Sequence, residues 1–236
     1  IDFSEFYFFD KSLINHSQRV GNVCVKLGRE LGLDHKNLVE LKIAAIFHDI
    51  GKLFISNEIL DKPGKLSKEQ LEIVKTHTIM GYEVLDSIDN YEDVASYVRS
   101  HHERIDGTGY PDKKQGDDIP LESRIISVVD AYEAMTELRP YRKPFTKKEA
   151  IKELKRCSGT QFDKKVVKVF INKIIKNAGK ALLYKHSNAV FSFSLFTPVC
   201  ALLIFYLCFL QISIYFIHTF FNNSYFILVS FILVRF

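Results

Sequence analysis

The sequence predicts an all-α bundle built around a dinuclear metal cleft, with a single apolar helix appended. Three observations carry this. Apolar residues up to Lys176 recur at steps of three and four rather than two. No stretch alternates as a strand would. The helical faces so defined place His and Asp where a core calls for apolar side chains. At 236 residues the chain has room for one domain of ordinary size and a short appendage.

Phe9, Ser12, His16, Val20, Val23 and Leu27 fall on one face of a first helix, so His16 points inward. Asp34 is placed to cap a second helix, along which Leu38, Leu41, Ala45 and His48 are in register. His48 and Asp49 then end a buried stripe, and Gly51 closes the helix. The run Asp61 to Lys65 reads as a turn. Ser67 caps a third helix with Glu69 or Gln70 nearby, on which Ile73, His77, Met80 and Val84 share a face. Val94, Val98 and His101 mark a fourth helix, which ends at the glycine-rich loop Asp106 to Pro111. A fifth, from Leu121, carries Ile126, Asp130 and Ala134 and stops at Pro140. Two more are expected near Thr146 to Cys157 and Asp163 to Lys176.

Composition divides the chain near Lys185. With 47% hydrophobic and 25% charged residues it falls among globular proteins. All 28 acidic residues precede Ser187, and Arg235 is the single basic residue after it. A formal net charge of +4 is too mild to point to a nucleic-acid polymer as partner. The four cysteines form no Cys-x-x-Cys pair, which excludes a zinc knuckle or disulfide framework and leads us to expect a reducing, cytoplasmic setting. The chain opens on Ile1 without a signal-peptide pattern and reads as a piece of something longer.

The polar residues on the inward faces are His16, His48, Asp49, His77, His101, His102 and Asp130, drawn from five expected helices. Any one of these histidines alone would be read as a hydrogen-bonded core residue; the set is an inventory of divalent-metal ligands. Neighbours on a helix diverge by about 100°, so the pairs His48-Asp49 and His101-His102 are each expected to reach two points, with an Asp bridging between metals. Mixed His/carboxylate ligation suits Fe, Mn or Zn without choosing among them. Two cations ~3.5–4 Å apart can hold a bridging hydroxide and clamp both oxygens of a phosphodiester displacement. Phosphodiester hydrolysis is the chemistry that follows.

The run His48-Asp49-Ile50-Gly51-Lys52 resembles the HD signature of metal-dependent phosphohydrolases, and His101-His102-Glu103-Arg104-Ile105-Asp106-Gly107-Thr108-Gly109-Tyr110-Pro111 resembles the second signature of the HD-GYP subgroup. His16 to Val20, Arg124 to Ile126, Asp130 to Thr136, Arg139 to Arg142 and Gly159 to Asp163 extend the likeness in the family's order. It implies an HD-type bundle over residues 3–178 and metal ligation by all seven residues named above. Two metals, Fe or Mn foremost, are expected, because Ser12 stands where some members have a Glu that holds a third. The implied activity is opening of cyclic di-GMP to linear pGpG, with a second cut to GMP left open, in bacterial second-messenger signalling. An upstream sensory or receiver domain is expected by the same analogy. Two rivals stay open: hydrolysis of another cyclic dinucleotide such as cyclic GMP-AMP, and a catalytically silent cyclic-dinucleotide sensor or docking module.

Around this centre Asp49 and Lys52 are the expected catalytic pair, with Lys52 facing a phosphate oxygen and protonating the leaving alkoxide. Tyr110 is expected to stack on a base or bond a phosphate. Arg139 and Arg142, beside the break at Pro140, are expected to grip phosphate or guanine edges bidentately. Glu103 and Asp106 are expected to orient histidines or loop amides. The resemblance further implies that the Gly-Tyr-Pro loop docks diguanylate cyclase domains.

After a basic and polar connector at 179–194, residues 195–236 are apolar. Val199 to Ile217 is long enough to cross a bilayer at ~1.5 Å per residue. The seven lysines between Lys164 and Lys185 would hold the domain at the inner face of the cell membrane. Out-of-frame translation, which the tail's Phe, Ile, Leu, Ser, Tyr, Val and Cys also fit, is the second reading, and a buried core helix is the third.

Overall fold

The computed structural model describes residues 11–137 and 143–176. Nine α-helices are described: α1 (Lys11–Leu31), α2 (His35–Phe47), α3 (Asn57–Leu60), α4 (Lys68–Lys75), α5 (His77–Asp86), α6 (Glu92–Arg99), α7 (Leu121–Thr136), α8 (Lys147–Arg156) and α9 (Lys164–Val169). A 3-10 segment, Ile50–Phe54, follows α2, and a π turn, Phe170–Ile175, prolongs α9. Among the described residues there is no strand, only an isolated bridge between Ser158 and Phe162. All of them belong to one compact unit.

The two caps read from the sequence are made: Asp34 accepts from the Asn37 amide, and Ser67 and Gln70 form a reciprocal capping box. The structure adds a second capping box, between Thr146 and Glu149. Each satisfies amides that a helix start leaves without partners. Asp163 caps α9 by accepting from Lys165 N and Val166 N.

The core is assembled from the inward stripes of α1, α2, α5, α6, α7, α8 and α9. Val20, Cys24 and Leu27 of α1 meet Leu41, Ala44 and Ala45 of α2, Val94, Ala95 and Val98 of α6, and Ile125, Ile126, Val128 and Val129 of α7. Leu154, Val166, Val167 and Phe170 close it from the C-terminal side. Among the described residues no helix is long and apolar enough to cross a membrane. The connector and apolar tail lie outside the described residues, as do Phe9, Arg139, Pro140, Arg142 and the side chain of Ser12.

Three expectations are corrected. First, the third helix is two, α4 and α5, broken at Thr76, and its four residues do not share a buried face. His77 and Val84 are buried, whereas Ile73 and Met80 are 44% and 38% exposed. Gly81 sets this orientation: a Cβ there would meet Val98 Cγ1 at 3.0 Å. The bare backbone therefore sits against α6, turning Met80 outward. Second, α2 ends at Phe47 with His48 as its C-cap, so Gly51 does not close it. Gly51 is needed for approach, because a Cβ there would lie 1.9 Å from the His77 carbonyl oxygen and 2.7 Å from Gly81 N. Third, neither adjacent pair is a pair of helical neighbours: His48 and Asp49 follow the end of α2 at Phe47, and His101 and His102 follow the end of α6 at Arg99.

Gly51→Ala is therefore expected to cost about 3 kcal/mol or more, since the opposing atoms are backbone and cannot swing aside. Urea denaturation measures it; a loss under about 0.5 kcal/mol would show that the contact does not constrain the fold.

Candidate metal centre

The inward end of α1, the C-terminus of α2, the start of α5, the turn after α6 and the middle of α7 converge on one cleft. Two donor groups lie there: Asp49, His77, His101 and His102 in one, His16, His48 and Asp130 in the other. Ligand atoms within each group lie within 4.8 Å of one another. All seven predicted ligands are thus brought together. The pair His48-Asp49 divides between the groups as expected; the pair His101-His102 does not, because both join the same one.

The orientation of the imidazoles has a common origin. His48, His77 and His101 place Nδ1 at 2.9, 2.6 and 2.6 Å from the carbonyl oxygens of Ala45, Val74 and Val98, each three residues earlier. A carbonyl only accepts, so each Nδ1 carries the proton and each Nε2 turns a lone pair into the cleft. His77 Nε2 and His101 Nε2 then face each other at 3.4 Å. Two lone pairs at that distance repel unless a cation lies beside them. His48 Nε2 is buried without a hydrogen-bond partner, and burying such an atom is costly. Both features fit divalent metal, with the backbone carbonyls supplying the outer bond that metal-ligating histidines make.

The carboxylates fit the same reading. Asp49 turns Oδ2 to His48 Nε2 and Oδ1 to His77 Nε2, each at 3.5 Å, so one oxygen faces each group. Asp130 Oδ1 lies 3.1 Å from His16 Nε2 and 3.7 Å from His48 Nε2. Burial would raise both carboxyls. For Asp49, the neighbouring His48 imidazole and the Lys52 ammonium prevail and hold it well below its usual range. For Asp130, the hydrogen bond from His16 and the neighbouring His48 imidazole lower it.

Burial pushes His101 well below its ordinary value, reinforced by His102, His48 and His77. It takes His102 down to about 3, helped by His77, and lowers His77 against the pull of Asp49. For His16, burial works downward but the bond and charge of Asp130, with Glu137, win and raise it.

Lys52 reaches the edge of the cleft, its Nζ 2.6 Å from Asp49 Oδ2. Tyr110 lies against His102, ring centroids 5.0 Å apart and planes 30° apart, with Lys75 Nζ 5.6 Å above its own ring. Its loop is held closely, since a Cβ on Gly109 would come within 2.4 Å of Arg104 N. Glu103 accepts from the Asp112 amide at 2.6 Å, while Asp106 accepts from Thr108 N and from Arg104. Both therefore orient loop groups, and neither is paired with a histidine ring. Asp106 N and Ile105 N donate to the carbonyls of Thr160 and Gln161 at 2.9 and 3.4 Å, tying this loop to the turn before α9. Arg139 and Arg142 have no described position here.

Sequence reasoning missed Glu133 and Glu137. Glu137 Oε2 lies 3.4 Å from His16 Nδ1. Arg19 bonds Glu133 at 3.1 Å and also pairs with Glu137, bridging α1 to the end of α7. The steps of three and seven from Asp130, and of three from His16 to Arg19, were a usable signal. The three carbonyl acceptors also lie at a fixed step behind their histidines.

An all-helical scaffold around paired His/Asp groups defines a protein built to hold divalent metal. The HD domain pattern matches residues 9–166, and the chain belongs to the HD domain family. It is 36% identical over 164 residues to a cyclic di-GMP phosphodiesterase of Thermotoga maritima, covering 69% of this chain and 45% of that protein. It is 40% identical over 140 residues to 3'3'-cGAMP-specific phosphodiesterase 3 of Vibrio cholerae, covering 58% and 30%. Among solved structures, an HDG"Y"P protein of Bdellovibrio bacteriovorus superposes with a TM-score of 0.57 at 25% identity, covering 71% of this chain and 53% of that one. The chain thus spans less than half the length of the curated relatives described.

His77, His101 and His102 take up protons in the unfolded chain near 6.5 but only at lower pH when folded. The unfolded state then binds more protons as pH falls below about 6.5, so stability declines. His16, raised, acts oppositely but is outnumbered. Melting of the metal-free protein in chelator is expected to weaken from about pH 7 to about pH 5; a midpoint that holds or rises would contradict the neutral-imidazole assignment.

Proposed function

We propose that residues 3–178 form a metal-dependent phosphodiesterase that opens cyclic di-GMP to linear pGpG. One observation carries this reading: the adjacent residues His48 and Asp49 divide between two donor groups, and Asp49 offers one oxygen to each. The ligands are His16, His48, Asp49, His77, His101, His102 and Asp130, holding two metal ions, Fe or Mn. Bound there, the metals supply Lewis-acid activation of water and of the phosphate oxygens.

The chain's own residues do the rest. Asp49 and Asp130 offset the cationic charge, and the three Nδ1–carbonyl bonds keep imidazoles aimed before substrate arrives. Water oxygen bonds to phosphorus, the P–O3′ bond breaks, and the departing ribose oxygen takes a proton from the Lys52 ammonium, which regains one from the attacking water. Lys52 suits the role because Asp49 Oδ2 holds its Nζ at the rim. Tyr110, pushed up by burial and by Asp49, stays a neutral phenol available to stack on a base. Arg139 and Arg142 complete the grip on phosphate or guanine.

Cyclic GMP-AMP is the second reading, favoured by the 40% identity to the Vibrio cholerae relative whose name specifies it. Docking of diguanylate cyclase domains on the Gly-Tyr-Pro loop belongs to the same proposal, supported by the exposed Thr108 beside it. Anchoring at the inner face of the membrane rests on tail composition alone.

The full chain loaded with Mn or Fe under reducing conditions is expected to hydrolyse cyclic di-GMP with a kcat/KM above that for cyclic GMP-AMP. Binding without turnover in either metal would sink the enzyme reading, and the reverse preference would select the second substrate. Asp49→Ala is expected to abolish turnover and empty much of the site, measured by metal analysis. Lys52→Ala is expected to lower kcat by about 10²–10⁴-fold with metal content unchanged; metal loss in that variant would instead make Lys52 a support for Asp49.

A further inference from the structure

An open cavity lies on the C-terminal helices, among residues outside the metal centre. It holds about 290 Å³ and is lined by Lys155, Ser158, Lys164, Lys168, Asn172 and Lys176, with Val167 and Ile171. None of these residues belongs to either donor group.

Charge in this region is one-sided. Between Lys147 and Lys176 stand ten basic residues and three acidic ones, an excess larger than the formal +4 of the whole chain. The three acids are engaged elsewhere. Glu149 closes the capping box with Thr146, Glu153 pairs with Arg156 at 2.5 Å, and Asp163 pairs with Arg124 at 2.9 Å while capping α9. Lys155, Lys164 and Lys168 consequently have no acidic partner among the described residues.

Two of the lysines are also placed. The stem of Lys164 lies over Gly159, where an added Cβ would meet its Cε at 2.3 Å. Lys176 donates to Asn172 Oδ1 at 2.9 Å, which holds its ammonium at the wall. Asp163 already occupies the first amides of α9, so the cavity's attraction for anions comes from the lysines.

We infer that this cavity is a binding site for a phosphate-bearing ligand, taking a phosphomonoester or pyrophosphate group among Lys155, Lys164, Lys168 and Lys176, with Ser158 and Asn172 as hydrogen-bonding partners. Its volume of about 290 Å³ falls just below the roughly 300–1,000 Å³ of small-molecule sites. That admits a phosphate head rather than an enclosed cyclic dinucleotide. The group could arrive on a free metabolite or on a lipid headgroup, and the lysine recognition is the same for both. The site is independent of the phosphodiesterase reading.

The test uses the full chain in chelator, so that no phosphate binds through metal, with inorganic pyrophosphate as probe in calorimetry. A parallel arm sediments the protein with phosphatidylglycerol vesicles, using phosphatidylcholine as the neutral control. Wild type is expected to bind pyrophosphate or the anionic vesicles, more weakly as salt rises. The double variant Lys155→Gln, Lys168→Gln, at two exposed positions, is expected to lose about tenfold or more in affinity. Asp49→Ala should bind as wild type does. Pyrophosphate binding without sedimentation assigns a free ligand; sedimentation that pyrophosphate competes away assigns a headgroup. Absence of both, or equal binding by a double variant whose circular dichroism matches wild type, overturns the site.

Discussion

The centre depends on one repeated interaction, the Nδ1–H of an imidazole given to the carbonyl three residues behind it. His48, His77 and His101 each make it. The bond consumes a proton donor and fixes the tautomer, which leaves Nε2 as an acceptor with nowhere to go but the cleft. A core of this polarity costs free energy until a cation arrives. The three imidazoles are thus held in a conformation that a cation would relieve.

That device requires the helix ends to be held at close range, and two glycines provide it. Gly51 lets the segment carrying Asp49 approach the His77 carbonyl, and Gly81 lets α5 lie against α6. The core of α1, α2, α6 and α7 supplies the rigidity behind them. The Arg19–Glu133–Glu137 bridge then secures His16 from the opposite side. Scaffold and site share the same helix termini, so packing errors there reach the ligands directly.

The electrostatics follow from burial. Low pKa values for His77, His101 and His102 keep them neutral, as metal ligands must be, while Asp49 and Asp130 remain charged. The C-terminal helices show the contrary arrangement, with lysines whose neighbouring acids serve caps and other pairs.

Much was legible in the sequence by itself. Steps of three and four gave the helical class, Asp34, Ser67, Thr146 and Asp163 gave four helix starts, and residue types on inward faces gave all seven members of the donor groups. Local rules suffice there because helix period and capping act within a few residues. The tertiary structure alone decided which ligand joins which group, since His101 and His102 follow a helix end and their directions come from the turn. It also decided that Ile73 and Met80 face out, because Gly81 against Val98 sets the rotation of α5, and that Gly51 serves contact rather than termination. Those outcomes rest on atoms distant in sequence meeting at van der Waals range, which no periodicity encodes.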